Sequence, residues 1–535
     1  MRHDKLVMKY KIHFSKYGFL PRRIFAAALC AAVCCPLPGR ADTRDKAPRN
    51  VILISVDALR PDHLGCYGYG RDTSPCLDAF AENAVVFDNA FSQSSHTRAS
   101  HLSTLTSLYP LTHGDLEYLY RDDIPVNAVT LAEELSAAGF RTAAFTGGAS
   151  LSKINGFGRG FGKWSERMFI KGHLPAVMGW VRGNKNKGFF LFFHFYDVHG
   201  PYYYRKDYYR MCGGDPAAAE AMAPRLDGLE RMLAADSAAA WQGAGLTDED
   251  IGERIVYNAV KGKAFRDGKD GPKRTPRWIK DRWPRAPGYE RQLRFIKYCY
   301  DSGIRYSDYY LGVFFDFLKK QGLWDDSMII VTADHGEEFA EHGMLGHGVH
   351  LYDTLIRVPL MIKMPVRSGV TPKRINGTVE LVDVMPTILE ACGYEPEGQM
   401  QGESLMDMLE TGGGRGKDTV YASVNSETSA RAESGKVVVN KNKKAYEYYT
   451  INGVRGSETL AFTGARNAGW AAAGGLEAAV PEKDAVKMKK ILDTHVSSCT
   501  ALHDEKYGQS GGGDGEEDRA ARQKHLRDMK ALGYL

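Results

Sequence analysis

What is scarce narrows this sequence first. Nine cysteines occur in 535 residues and none forms a C-x-x-C pair, which argues against zinc fingers. No apolar run reaches the ~20 residues that a membrane-spanning helix needs. Net charge is almost absent. Lys plus Arg total 70 against 65 for Asp plus Glu, and residues 1–41 alone hold eight of the basic residues and one Asp. The remainder is slightly acidic, without the basic field that draws nucleic acid or an anionic membrane. No internal repeat is evident. The composition, 43% hydrophobic and 25% charged, is that of a globular protein. The length allows one large α/β domain and a smaller one, at roughly 100–200 residues per domain.

Residues 1–41 read as a secretory signal. A basic stretch containing Lys5, Lys9, Lys11, Lys16, Arg22 and Arg23 precedes the apolar run 24–35, and small residues end the segment at Ala41. An uncleaved anchor is the alternative, and Arg22-Arg23 also fits a twin-arginine signal. The expected location is therefore periplasmic or secreted. Loss of the signal removes Cys30, Cys34 and Cys35. Cys66, Cys76, Cys212, Cys299, Cys392 and Cys499 remain, where disulfides are possible outside the cytosol but pairing is not readable.

The mature chain alternates strands with helices, which predicts an α/β fold: a mostly parallel central sheet flanked by helices. Continuous apolar runs at 50–56, 189–195, 328–332 and 359–363, with 141–145, read as its strands. A helix is expected over 130–139, with Thr130 and Glu133 as a capping box and Gly139 as its stop. Another is expected around 304–320. The catalytic domain is expected over 49–368, with a helical insertion at about 203–292 that lacks strand signals. A smaller C-terminal α+β subdomain is expected over 369–535, with a helix near 383–391, a β-prone stretch at 436–452 and a polar loop at 508–517.

Chemistry is expected where strands end, because ligands of open α/β sheets bind beyond the carboxyl ends. Asp57 follows one predicted strand, Asp334 and His335 another, and Asp197 and His199 a third. A single carboxylate there is ordinarily a cap or turn residue. Three together suit a divalent cation such as Ca²⁺, Mg²⁺, Mn²⁺ or Zn²⁺. A fourth element, 94–110, reads as helical from Ser100, with hydroxyls at its start where backbone N–H groups can meet an anionic ester. Glu337, Glu338 and Glu341 read as a solvated helix start and His342 as a turn residue. The aromatics Tyr202–Tyr204, Trp278, Trp283 and Tyr289 read as packing for the insertion.

Four segments in order, 51–68, 97–110, 331–343 and 346–360, resemble the sulfatase family of the alkaline-phosphatase superfamily; the likeness runs from about 49 to 405 apart from the insertion. The resemblance implies an ester hydrolase acting on a small-molecule or glycan ester. It implies one or two divalent ions per chain (Ca²⁺, Mn²⁺ or Zn²⁺), with Asp57, Asp334 and His335 as ligands. His199 and His347 would contact the sulfate or phosphate group, or carry a second metal together with Asp197.

The sequence also departs from that family. Sulfatases carry a Cys or Ser that is oxidised to formylglycine, within C-x-P-x-R. The ungapped alignment puts Thr97 at that position, Ala99 at the Pro and His101 at the Arg. Threonine, with its extra methyl, cannot become the same aldehyde. A three-residue shift would offer Ser94 and Arg98 but spoils every downstream match. Ala58 stands where a second Asp is expected, and His347 where many members place a Lys. The resulting expectation is a hydrolase whose metal-activated Thr97 attacks a phosphate ester in preference to a sulfate. His101, His199 or His347 would protonate the leaving oxygen, with Arg98 and Asp197 on the substrate. A formylglycine enzyme using Ser94, a phospho-headgroup transferase and a non-catalytic binder of the same fold are the alternatives.

Overall fold

Asn50–Val56 is apolar on both faces, and it forms the buried strand β1 at the middle of an eight-stranded sheet. The computed structural model describes residues 45–116, 125, 127–221, 256, 283–394, 400–414, 416–452, 457–465, 470–472 and 482–507. The segment read as a signal, Trp278, most of the segment read as an insertion, and the stretch 508–517 lie outside them. No described helix is long and apolar enough to cross a membrane. The six cysteines expected to remain after export are all free thiols.

The other strands of this sheet are β2 (Val85–Phe91), β3 (Arg141–Thr146), β4 (Lys163–Glu166), β5 (Phe189–Phe195) and β6 (Ser327–Thr332). A two-stranded hairpin follows, β7 (Glu338–Phe339) and β8 (Leu345–Gly346). The large sheet then gains β9 (Arg357–Lys363) and β10 (Lys373–Glu380). Its order is β10-β2-β9-β6-β1-β5-β3-β4. Only β9 is reversed: it runs antiparallel to both β6 and β2, and every other pairing is parallel. The edge strand β10 lies beyond residue 368, so the large sheet extends into the segment expected to begin the smaller subdomain.

Register aligns the strand ends. Ser55 pairs with Thr332, so Asp57 and Asp334 each stand two residues past a matched pair, and Val56 pairs with Phe195 across β5. Strand β2 runs in the same direction as β1. Its carboxyl end therefore delivers the helix Thr97–Thr106 to the same edge. That helix begins at Thr97 rather than the expected Ser100, with the extended His96 before it.

The expected capping box of Thr130 and Glu133 is present on the helix Leu131–Ala137, and Gly139 takes the left-handed backbone expected of a stop. The long helix spans Tyr289–Lys320, a longer element than the 304–320 read from periodicity. The stretch 436–452 supplies β13 (Gly435–Asn440) and β14 (Ala445–Asn452) of a second, antiparallel sheet. That sheet also contains β11 (Thr419–Val424), β12 (Glu427–Ala432), β15 (Ser457–Ala465) and β16 (Trp470–Ala472). The helix Glu482–Leu502 packs on it through Ala485, Met488 and Leu492 against Ala430, Val437 and Tyr448.

Candidate active site

The turn after β1 presents Asp57 by way of a strained residue. Ala58 has φ of 58°, a left-handed conformation that is unfavourable for alanine. Both its backbone groups are held. Its N–H donates to Asp334 Oδ1 (3.2 Å) and its carbonyl accepts from the Tyr300 hydroxyl (2.7 Å), which also accepts the Arg60 N–H. On the neighbouring strand end Asp334 and His335 lead into Gly336, where a Cβ would meet the Thr354 carbonyl at 2.1 Å. Only glycine fits that approach. The helix Thr97–Thr106 is pinned to both turns. Ser100 Oγ donates to the Asp334 carbonyl (2.7 Å), and His101 Nε2 accepts from Ser55 Oγ (2.9 Å).

These anchors bring Thr97 Oγ1 to 3.2 Å from His335 Nε2 and 3.4 Å from Asp57 Oδ2. Asp57, Thr97, Asp334 and His335 are all buried. Donor and acceptor chemistry fixes the imidazole tautomers. His335 Nδ1 donates to the Gly336 carbonyl (2.8 Å), so its Nε2 turns a lone pair toward the cluster. His347 Nδ1 donates to Glu337 (2.9 Å), and His199 Nδ1 donates to the Gly200 carbonyl. Nε2 is thus the basic nitrogen of each ring. The His347 ring lies 4.2 Å from that of His335 and 4.7 Å from that of His199.

His194 behaves oppositely. Its Nδ1 accepts the Gly147 N–H (3.2 Å), so Nε2 carries the proton and donates to Asp57 Oδ2 (3.1 Å). His101 is likewise committed, donating from Nδ1 to the Thr97 carbonyl (2.8 Å). A grouping of His101, His194 and Asp334 therefore lacks nitrogen lone pairs for an ion. The grouping of Asp57, Asp334 and His335, with ligand atoms within 4.8 Å of one another, has them.

Electrostatics support a cation at the second grouping. Burial first, and then the neighbouring Asp334 carboxylate, push the Asp57 carboxyl well above its usual range. Burial alone would raise Asp334 too, but the His335 and His101 imidazoles outweigh it and hold the group low. With both groups ionised, Asp57 Oδ1 and Asp334 Oδ2 are buried without a hydrogen bond. Among the described residues the basic partners of the pair are imidazoles, with no Lys or Arg. Two facing buried carboxylates without a fixed cation are stable only with a proton or a metal ion between them. The residues present fit a divalent ion. Burial also drives the nearby imidazoles down, His96 and His199 to about 3 and His347 well below its ordinary value.

Not every predicted site residue joins this cluster. Arg98 is buried, pairs with Asp115 and lies against the Phe157 ring. Asp197 accepts the Ile170 N–H (2.7 Å) at the start of the helix Ile170–Asn184, with Arg205 3.6 Å away. Ser94 Oγ accepts the His96 N–H (3.3 Å). Glu337 and Glu338 are buried rather than solvated, in an extended segment and not a helix. Arg60 donates to the Glu337 carbonyl (2.9 Å) and to Glu341 (2.8 Å), which ties that segment to the turn after β1. His342 sits in a turn, stacked 3.6 Å from the Tyr352 ring. Tyr202 packs on Tyr300 and Phe339, and Trp283 on Tyr289, as expected of packing aromatics. Two residues escaped sequence reading: His194, hidden within an apolar strand, and Glu337, whose charge reads as exposure.

A buried carboxylate–imidazole cluster beside a helix N-terminus, at the carboxyl edge of such a sheet, is a candidate site for a divalent ion and an anionic ester. Comparison with known proteins makes the assignment. The sulfatase family model matches residues 49–394, and the model for the C-terminal region of N-sulphoglucosamine sulphohydrolase matches 340–454. The chain belongs to the sulfatase family, hydrolases of ester bonds within the alkaline-phosphatase superfamily.

An arylsulfatase of Clostridium perfringens is 23% identical over 458 residues, covering 74% of this chain and 84% of the relative. The multifunctional alkaline phosphatase superfamily protein PehA of Trinickia caryophylli is 27% identical over 238 residues, 44% of this chain and 40% of that protein. Among solved structures, BT4656 in complex with its substrate D-glucosamine-2-N,6-O-disulfate aligns with a TM-score of 0.59 at 18% identity, covering 86% of this chain and 99% of that one. The phosphonate monoester hydrolase of Agrobacterium radiobacter aligns with a TM-score of 0.55 at 18% identity, over 85% and 96% of the two chains. At such identities these two likenesses concern the fold.

Proposed function

We propose that this sulfatase-family chain hydrolyses an anionic phosphate or phosphonate monoester on a small molecule or glycan, with the Thr97 hydroxyl as nucleophile. The observation that carries the reading is the contact of Thr97 Oγ1 with His335 Nε2 and Asp57 Oδ2 at the first turn of a helix. The free backbone N–H groups of that turn favour an anionic group beside the hydroxyl. Asp57, Asp334 and His335 would hold a divalent ion, which would neutralise charge on the ester and lower the hydroxyl pKa.

The chain's own residues do the rest. Thr97 Oγ1 bonds to phosphorus as the bond to the leaving oxygen breaks, and Asp57 Oδ2, 3.4 Å away, is the carboxylate oxygen that takes its proton. Glu337 holds the Nδ1–H of His347 and favours its imidazolium. An arriving anionic ester adds to that effect against the burial that keeps the ring neutral, so His347 can protonate the leaving alcohol. His199, oriented by the Gly200 carbonyl, is the second imidazole beside it. Water then attacks the phosphothreonine, with His347 as base, and restores Thr97. His101 acts on the other side, positioning the helix and not the leaving group.

The family match favours a second reading, a sulfate ester. Against it stands Thr97, which cannot supply the aldehyde hydrate that expels sulfate in formylglycine enzymes. Ser94 is a weak substitute, since its hydroxyl oxygen contacts the His96 N–H of its own turn, whereas Thr97 Oγ1 touches Asp57 and His335. Export is part of the proposal, supported by the basic, apolar and small-residue regions of 1–41.

The test is a paired assay of aryl phosphate, phosphonate and sulfate monoesters on purified protein supplied with Mn²⁺, Zn²⁺ or Ca²⁺. Phosphate or phosphonate turnover above sulfate supports the reading. Sulfate turnover alone overturns it. A product that appears only with an added acceptor would mark a transferase, and ester binding without turnover a non-catalytic binder.

A further inference from the structure

Strand β5 is a buried run of aromatic and aliphatic side chains interrupted once, at His194. An imidazole in such surroundings needs partners for its ring nitrogens. They come from the turns beyond both neighbouring strands. After β3, the Gly147 N–H donates to Nδ1 (3.2 Å); after β1, Asp57 Oδ2 accepts from Nε2 (3.1 Å). Since a backbone N–H can only donate, the ring is neutral and its proton sits on Nε2. Glycine is required at 147, where a Cβ would lie 2.1 Å from the buried Tyr196 ring. The His194 ring stands edge-on to His101 (5.0 Å between centroids) and to Tyr196 (4.7 Å).

We infer that His194 is a positioning residue, which holds Asp57 so that Oδ2 receives the Thr97 proton. The inference rests on the proposed Thr97 reaction and adds to it a residue that acts through Asp57 alone. An aspartate carboxylate has a broad torsion about its last bond. Here Oδ2 accepts from His194 and from Thr97 Oγ1 (3.4 Å), while Oδ1 has no hydrogen bond. The Thr97 contact is the longer of the two, so His194 sets which oxygen faces the hydroxyl. Its chemistry suits the task. A Lys or Arg there would pair with Asp57 and weaken it as a base; a neutral N–H orients the carboxylate and lowers its basicity less. The ring also packs on His101, which donates to the Thr97 carbonyl and accepts from Ser55. Proton acceptor and nucleophile helix therefore rest on one support. In the reaction the proton passes from Thr97 Oγ1 to Asp57 Oδ2 as the oxygen–phosphorus bond forms. It returns to Oγ1 when water displaces the threonine oxygen from phosphorus. His194 keeps its own proton throughout.

The experiment compares two variants of the full-length enzyme with wild type on an aryl phosphate or phosphonate. His194→Phe keeps a flat ring beside Phe193 and Phe195 but has no donor. His194→Gln keeps an N–H at similar reach. The Phe variant should lose about 100-fold in kcat with KM within about threefold, and Gln should recover at least about tenfold of that loss. A purely structural role predicts the reverse order, because Phe suits this apolar strand better than an amide does. Independently of turnover, side-chain spectra of ¹⁵N-histidine-labelled protein supplied with Zn²⁺ or Ca²⁺ should show one neutral ring protonated at Nε2 that disappears in both variants. Circular dichroism checks folding; if one variant fails, the other and the spectrum decide. Wild-type kcat in folded His194→Phe, Gln no better than Phe, or a His194 ring bare at Nε2 would each overturn the inference and leave the hydrolase reading intact. Wild-type protein that turns over neither ester would overturn the hydrolase reading, and this inference with it.

Discussion

Two of the buried acidic clusters among the described residues differ in their partners. Where the loop around Asp353 meets the C-terminal sheet, Asp353 and Glu458 are clamped by Lys436 (3.0 and 2.7 Å), and Arg431 adds a further bond to Asp353 (3.0 Å). Every charge there has a fixed opposite. At the carboxyl edge of the large sheet, Asp57 and Asp334 face each other, and among the described residues their basic partners are imidazoles alone. The first cluster is a closed tie between chain segments. The second leaves two oxygens without hydrogen bonds and the Thr97 hydroxyl beside the pair. A buried carboxylate thus marks structure or chemistry according to whether the chain itself supplies its counter-charge.

Substitutions on the two clusters should separate activity from stability. The largest effect is expected for Thr97→Ala, which removes the proposed nucleophile. Turnover of the best ester should fall by about 10⁴-fold or more, with the melting temperature of the metal-loaded protein almost unchanged. Wild-type rates in that variant would erase the contrast. Next is Lys436→Met, which strands the buried Glu458 carboxylate and leaves Asp353 with Arg431 alone. Denaturant unfolding should show a loss of about 3–5 kcal/mol, while kcat of the folded fraction stays within about threefold of wild type. A sharper version compares Asp57→Asn with wild type after chelation. The variant should melt at the higher temperature, because it relieves the repulsion from Asp334; a lower melting temperature would show that the pair is not strained without an ion.

The smallest effect concerns Asp197, another aspartate near the end of a strand. Burial raises its carboxyl to about 7 against an ordinary 3.8. Between those values the folded chain keeps a proton that the unfolded chain has released, so stability falls as pH rises through that window. Asp197→Asn should flatten this part of the stability–pH curve, a change of at most a few kcal/mol, and leave turnover within about threefold. An unchanged slope would mean that Arg205 and the Ile170 N–H already stabilise the ionised form.

Much of this was legible in the sequence, for a physical reason. Strands β1, β5 and β6 are buried on both faces and so read as unbroken apolar runs, and the polar residues just beyond two of them mark the site. Strand β2 did not announce itself, because Asp88 and Asn89 interrupt it, and β4 and β10 are edge strands with mixed composition. Asp57, Thr97, Asp334 and His335 are singled out by position and resemblance, and the fold brings them together. Position alone could not tell Asp57 from Asp197, because the same residue type near a strand end either faces the cluster or caps a helix. Composition likewise misleads at Glu337, a charged residue whose burial depends on a hairpin that brings His347 back to it. The tautomers of His194 and His335 follow only from which backbone groups stand behind each ring.

The most direct measurement is rapid mixing with an aryl phosphate, acid quench and peptide mass spectrometry. The account predicts a phosphoryl group on Thr97 during turnover, with Ser94 unmodified. Turnover without phosphothreonine, or an aldehyde found at Ser94, would contradict it.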